Sequence, residues 1–180
     1  IQGMFAIALF DSKKNKLYLA RDRMGKKPLY WSQSNGAFLF GSELKVLMSH
    51  PSFKKEINPE SLNKYFSYEY IPTPHSIFQN TFKLEPGTYL SWDEKKIEKK
   101  VFWNLSFEPK ADSFQSSLEA LDGALLSSVE DRLVSDVPVG IFLSGGLDSS
   151  TVAYYATKAG KGKIKTFSIG FKETSFDESQ

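Results

Sequence analysis

A glycine pair between a short apolar run and a segment of helical spacing constrains this chain more than any other feature. The run is Val139–Leu143, the turn is Ser144-Gly145-Gly146-Leu147-Asp148-Ser149-Ser150, and helical spacing continues from Thr151 to Ala159. Glycines in such a turn let the backbone approach an oxyanion closely. The helix start adds unpaired N–H donors and the positive end of its dipole. Ser144, Ser149 and Ser150 add hydroxyl donors. Asp148 would repel a bare phosphate, so its presence implies an intervening cation such as magnesium. The plainer reading of the same residues is a Ser/Gly-rich strand-to-helix turn with Asp148 as a helix cap.

No G-x-x-x-x-G-K-[ST] loop occurs in the 180 residues. Gly160-Lys161-Gly162-Lys163 lacks both the spacing and the hydroxyl. The SGG-x-DS pattern instead resembles the pyrophosphate-binding loop of ATP pyrophosphatases. Those enzymes cleave ATP between the α and β phosphates and adenylate a substrate.

The rest of the chain sets that loop in context. Residues 4–10 and 17–20 read as a strand hairpin, followed by a break at Arg21–Gly25 and strands at 28–31 and 37–40 around Asn35-Gly36. The first forty residues thus predict an antiparallel meander within a larger sheet. Ser42 is expected to cap a helix to Met48, and Asn58-Pro59 to open another with Leu62, Tyr65 and Phe66 on one face. Residues 87–92 and 97–103 predict a second hairpin. Asp112 is expected to cap a long helix whose stripe is Phe114, Leu118, Leu121, Leu125, Val129 and Leu133. Strand 139–143, the glycine turn, a helix ending near Gly160 and a strand over 164–171 then form the strand–helix–strand unit of a parallel sheet.

Charge also divides the chain. Residues 1–110 carry a net +6 and residues 111–180 a net −4, which supports a boundary near 110. The lysines fall in short turn-like clusters rather than along a basic face, so nucleic-acid binding is not expected. No apolar run reaches ~18 residues, so no membrane span is expected. The absence of cysteine excludes disulfides, thiolate zinc sites and a cysteine nucleophile within this segment, and it weakly favours the cytoplasm. Ile1-Gln2-Gly3-Met4 has neither a secretory pattern nor an initiator Met, which predicts a chain that starts inside a longer protein.

Several motifs in order carry a further resemblance. They are Gly3-Met4-Phe5-Ala6, Ala20-Arg21-Asp22-Arg23-Met24-Gly25-Lys26-Lys27-Pro28-Leu29-Tyr30, Ser42-Glu43-Leu44-Lys45, and Ser135-Asp136-Val137-Pro138-Val139-Gly140 ahead of Ser144–Ser150. Together they resemble glutamine-hydrolysing asparagine synthetase over nearly the whole chain. The resemblance implies two partial domains of α/β and α+β class. Residues 1–107 would be the rear of an antiparallel-sheet glutaminase of the N-terminal-nucleophile type. Residues 108–113 would be a linker. Residues 114–180 would open a parallel α/β synthetase domain of the ATP-pyrophosphatase, adenine nucleotide α-hydrolase-like kind.

The implied enzyme activates aspartate with ATP and Mg²⁺ and amidates it with glutamine-derived ammonia. Its products are asparagine, AMP and pyrophosphate. By resemblance, Ser144, Gly145, Gly146, Asp148 and Ser149 hold the pyrophosphate part of ATP, with Asp148 reaching the metal only through Mg-pyrophosphate. Phe142, Leu143 and Ile169 would line the nucleotide, although Phe142 and Ile169 would also be buried in any α/β sheet. The family's nucleophilic cysteine, glutamine-holding Arg, Asn-Gly-Glu segment and pocket Asp would all precede Gly3. A second synthetase loop would follow Gln180. The segment alone is therefore expected neither to hydrolyse glutamine nor to make asparagine. A paralogue that amidates or cyclises another carboxylate by the same adenylation chemistry is the alternative. The implied partners are small molecules, the implied compartment is the cytoplasm, and a homodimer stays open.

Other residues have plainer roles. Arg21-Asp22-Arg23 reads as a structural turn in which Asp22 pairs an arginine. Glu43 and Lys45 suit a solvated helix face as well as a domain interface. Arg132 and Asp136 suit helix-end electrostatics as well as loop orientation. His50 and His75 lack metal-ligand spacing, and Tyr65, Phe66, Tyr68 and Tyr70 are expected to pack.

Overall fold

The computed structural model describes residues 1–109, 112–160 and 164–170. The fold is mixed α/β, and the chain divides into two compact units, Ile1–Phe107 and Glu108–Gln180. Among the described residues no helix is long and apolar enough to cross a membrane.

The first unit holds two antiparallel sheets rather than one meander. Strands β1 (Ala6–Asp11), β2 (Lys16–Arg21), β6 (Thr88–Trp92) and β7 (Ile97–Val101) form one sheet in the order β1-β2-β6-β7. Strands β3 (Tyr30–Ser34), β4 (Ala37–Gly41) and β5 (Thr81–Lys83) form the other, in the order β4-β3-β5. The chain leaves the first sheet at Arg21 and enters the second at Tyr30, so β2 pairs with β6 and not with β3. The β3–β4 hairpin turns on Asn35-Gly36, both at positive φ, with Ser34 opposite Ala37. That is the backbone a two-residue hairpin of matching twist requires.

Alternation along the strands places one face of each sheet on a shared core of Leu19, Leu29, Trp31, Leu84 and Leu90. Four rings run through it in sequence. Trp92 stacks on Phe38 at 5.0 Å, Phe38 on Trp31 at 5.9 Å, and Trp31 tilts against Phe82 at 4.9 Å. A second cluster, Leu39, Leu47 and Phe53, packs beneath α1 (Leu44–Met48).

The passage between the sheets is held by a buried carboxylate. Asp22 accepts backbone N–H bonds from Phe5 (3.3 Å), Met24 (3.2 Å), Lys26 (2.9 Å) and Lys27 (2.9 Å). Burial alone would push this carboxyl up, but the four donors together outweigh it and hold it below the ordinary carboxylate range. The expected arginine partner is not what Asp22 uses. Arg21 instead donates to three carbonyls, those of Lys27, Leu84 and Gly25, at 2.8, 2.6 and 2.7 Å. Anion and cation each gather backbone groups of opposite polarity, which fixes a tight turn with no helix or sheet to satisfy it.

Helix caps differ from expectation by one residue in two places. Glu43, not Ser42, is the N-cap of α1, and it makes no side-chain cap bond. Ser113, not Asp112, caps α3 (Phe114–Arg132), its hydroxyl accepting from Ser116. Asn58 caps α2 (Pro59–Tyr68) through Glu60 and Ser61, as Asn-Pro predicts. Ser61 is the buried residue of α2, whereas Tyr65, Phe66, Tyr68 and the following Tyr70 are exposed, contrary to the packing expectation.

The second unit packs α3 and α4 (Leu147–Lys158) over β8 (Gly140–Phe142), which pairs in parallel with β9 (Lys165–Phe167). Its core is Val129, Ile141, Tyr155 and Ala156. The apolar stripe of α3 is buried only in its second half, and Phe114, Leu118 and Leu121 stay exposed. Tyr155 and Lys158 of α4 both bond to Asp122 of α3, at 2.8 and 2.9 Å. The Lys158 bond, then that of Tyr155, lowers the Asp122 carboxyl, and Asp122 in turn raises both partners. The linker residues Lys110 and Ala111 and the end of the expected 164–171 strand at Phe171 lie outside the described residues.

Candidate functional site

The glycine turn joins β8 to α4. Leu143 continues the strand by donating its N–H to the Phe167 carbonyl at 2.8 Å. Its own carbonyl accepts from the Ser168 hydroxyl at 2.6 Å. Ser144 follows, and Gly145 then takes φ +80°, a left-handed turn that favours glycine. Gly146 is the N-cap of α4, extended, with no side chain to cap the helix. The first-turn N–H groups of α4 therefore have no side-chain partner at the cap and no intrahelical one.

Helix α4 starts at Leu147, four residues before the expected Thr151, so Asp148 and Ser149 lie in its first turn. Asp148 is exposed and, as the acidic residue of that turn, complements the dipole. Ser149 turns inward. Its hydroxyl accepts from the Ser144 N–H at 3.3 Å and donates to the Gly146 carbonyl at 3.0 Å. The Ser144 hydroxyl lies 3.2 Å from it.

Beside the turn, a cavity of about 540 Å³ lies between α3, β8 and α4. Ser128, Arg132, Asp148 and Ser149 supply its polar lining, and residues such as Leu125, Val139 and Val152 its apolar wall. Phe142 also lines it and is 78% exposed, and Ile169 is 67% exposed. Neither is buried by its own unit, contrary to the simple α/β expectation. Arg132 donates to the carbonyl and hydroxyl of Ser128 at 2.7 and 3.0 Å, the local helix-end bonding expected of it. Glu43 and Lys45 pair with each other at 2.6 Å, both well exposed.

The residues fit a pyrophosphate better than a bare metal. The turn offers backbone donors with no Cβ at Gly145 or Gly146 to shield them, and Ser144 offers a hydroxyl. Among the described residues no group of three His, Asp or Glu side chains is placed to hold a metal ion. A cation at Asp148 would need most of its ligands from elsewhere, as a phosphate-bound magnesium has. The sequence reading missed Ser168, 25 residues from the carbonyl it holds, and the Asp122 tie between the helices, 33 and 36 residues from its partners. A hydroxyl on the strand after the helix was the one available signal for the first.

A parallel strand–turn–helix unit whose helix starts on a glycine, preceded by a two-sheet antiparallel unit, defines a two-part α/β protein. Comparisons give it a family. The glutamine amidotransferase domain family matches residues 1–103, and the asparagine synthase family matches residues 120–180. The putative asparagine synthetase [glutamine-hydrolyzing] 2 of Methanocaldococcus jannaschii is 41% identical over 98% of this chain and 35% of its own length. Asparagine synthetases [glutamine-hydrolyzing] 3 and 1 of Bacillus subtilis are each 36% identical, over 96% and 99% of this chain and 29% and 28% of their own lengths. The chain belongs to the glutamine-hydrolysing asparagine synthetase family. It spans about a third of the length of these relatives.

Proposed function

We propose that the Glu108–Gln180 unit binds ATP through its pyrophosphate, as the opening part of the synthetase half of a glutamine-dependent asparagine synthetase. The first unit is then part of the glutaminase half that delivers ammonia. On this reading the whole protein converts aspartate, ATP and glutamine-derived ammonia to asparagine, AMP and pyrophosphate, in the cytoplasm. The second unit is the beginning of a parallel ATP-pyrophosphatase sheet, seeded by the β8–β9 pair.

One observation carries the nucleotide reading: α4 begins at an uncapped glycine directly after a left-handed Gly145, with the Ser144 hydroxyl alongside. Backbone donors of the turn and of the first helical turn bind the phosphate oxygens, each charge-assisted bond contributing about 1.5–3 kcal/mol. Asp148 would help hold a magnesium ion that arrives with the pyrophosphate. Magnesium, when bound, would supply charge neutralisation to the phosphate oxygens. Phe142, Leu143 and Ile169 offer apolar surface to the rest of the nucleotide.

Isothermal titration of the full-length protein with MgATP tests this. Saturable binding that Asp148→Ala weakens by about tenfold or more is the expected result. No heat of binding from the unaltered protein sinks the proposal.

A further inference from the structure

We propose that Ser168 is a positioning residue for the pyrophosphate loop, acting with Ser149 as two jaws on a single peptide group. The inference rests on the nucleotide reading above and goes beyond it, to a side chain outside the loop. The peptide group is the one joining Leu143 to Ser144. Its carbonyl accepts from the Ser168 hydroxyl at 2.6 Å, and its N–H donates to the Ser149 hydroxyl at 3.3 Å. Ser149 passes its one proton on to the Gly146 carbonyl at 3.0 Å.

The chain of bonds has a mechanical meaning. Rotation of the 143–144 peptide plane would break both clamps together. That plane sets the direction in which the Ser144 hydroxyl and the next two amides leave the strand. Gly145 and Gly146 have little conformational preference of their own to set it. The Phe167 carbonyl pins the Leu143 N–H at 2.8 Å, so the strand end is fixed and the plane beyond it is the remaining freedom.

Ser149 also acquires a role different from the motif's simplest reading. Its proton is committed to Gly146, so while it clamps it has none to offer a phosphate. Ser144, whose hydroxyl lies 3.2 Å from that of Ser149, is then the donor of that pair and reaches a phosphate only by turning its hydroxyl away from Ser149. Ser168 directly follows β9 and reaches no loop residue after Leu143 among the bonds described. Its effect on a ligand is therefore through the loop.

The test uses the full-length protein with Ser168→Ala and Ser168→Thr, titrated with MgATP, Mg-pyrophosphate and AMP. Ser168→Ala should weaken ATP and pyrophosphate about five- to tenfold, the worth of one buttressing hydrogen bond, and leave AMP within about twofold. Ser168→Thr, which keeps the hydroxyl, should restore affinity. Without nucleotide, amide exchange across residues 142–149 should speed up in Ser168→Ala and not in Ser168→Thr. Equal weakening of AMP and ATP, or unchanged affinity in Ser168→Ala, overturns the clamp while leaving the nucleotide reading in place. Unaltered protein that binds no ATP overturns that reading and the clamp with it.

Discussion

Two aspartates, one in each unit, stand beside glycine turns and do opposite things. Asp22 is 2% exposed and spends its oxygens on four backbone N–H groups of its own unit. Asp148 is exposed in the first turn of α4. A carboxylate whose acceptor sites are filled by its own backbone serves the fold. One left facing solvent beside unpaired donors is available to a ligand. Both sit in motifs of charged and glycine residues, and sequence alone gives them similar signatures.

Substitution separates them most sharply. Asp22→Ala should destabilise the first unit by about 4 kcal/mol in denaturant titrations, because several buried donors lose their partner at once. Asp148→Ala should destabilise its unit by no more than about 0.5 kcal/mol while lowering MgATP affinity. A large stability loss in Asp148→Ala with unchanged nucleotide binding would make it a helix cap and erase the contrast.

The cores differ in the same direction. Leu90, fully buried between the two sheets, should cost about 3–4 kcal/mol on truncation to Ala. Ile141, in the smaller cluster of the second unit, should cost about 2 kcal/mol. Equal losses would mean that the second core is better enclosed than its exposed Phe142, Phe167 and Ile169 indicate.

Acid provides a finer test. The Asp22 carboxyl is held below its ordinary range when folded. Its contribution is therefore present above the unfolded value, about 3.9, and is lost as pH falls through the lower folded value. The first unit should lose stability below about pH 4, and Asp22→Asn should flatten that part of the profile. The smallest effect is kinetic. Amides of β2 and β6 should exchange most slowly in the molecule, and those of β9 faster. Hydrogen-exchange mass spectrometry reads both at once.

Local chemistry was the legible part. Asn35-Gly36 marked the hairpin turn, although the strand before it runs over Tyr30–Ser34 and not 28–31, Asn58-Pro59 marked a capped helix, and the glycine pair marked the strand–turn–helix order. Pairings set by distant residues were not legible. Nothing near β2 indicates that its second neighbour is β6, some 70 residues on, and the three-residue β5 is too short to show periodicity. The exposed first half of α3 was misread because an apolar stripe records which face is greasy, not how far it is covered. At the site, residue types were legible but their uses were not. Ser149 counts as a donor in the motif, and only its bonds to Ser144 and Gly146 show where its proton goes.

A Cβ on Gly140 would lie 2.4 Å from a ring carbon of Phe167. The aromatic ring thus rests where a side chain is missing, and it acts as an alignment pin between the two parallel strands. Sliding one strand by two residues would seat the ring against Pro138 or Phe142 instead. The strand that leads into the glycine turn is therefore registered by an empty space, and a side chain there would push the half-exposed Phe167 ring aside.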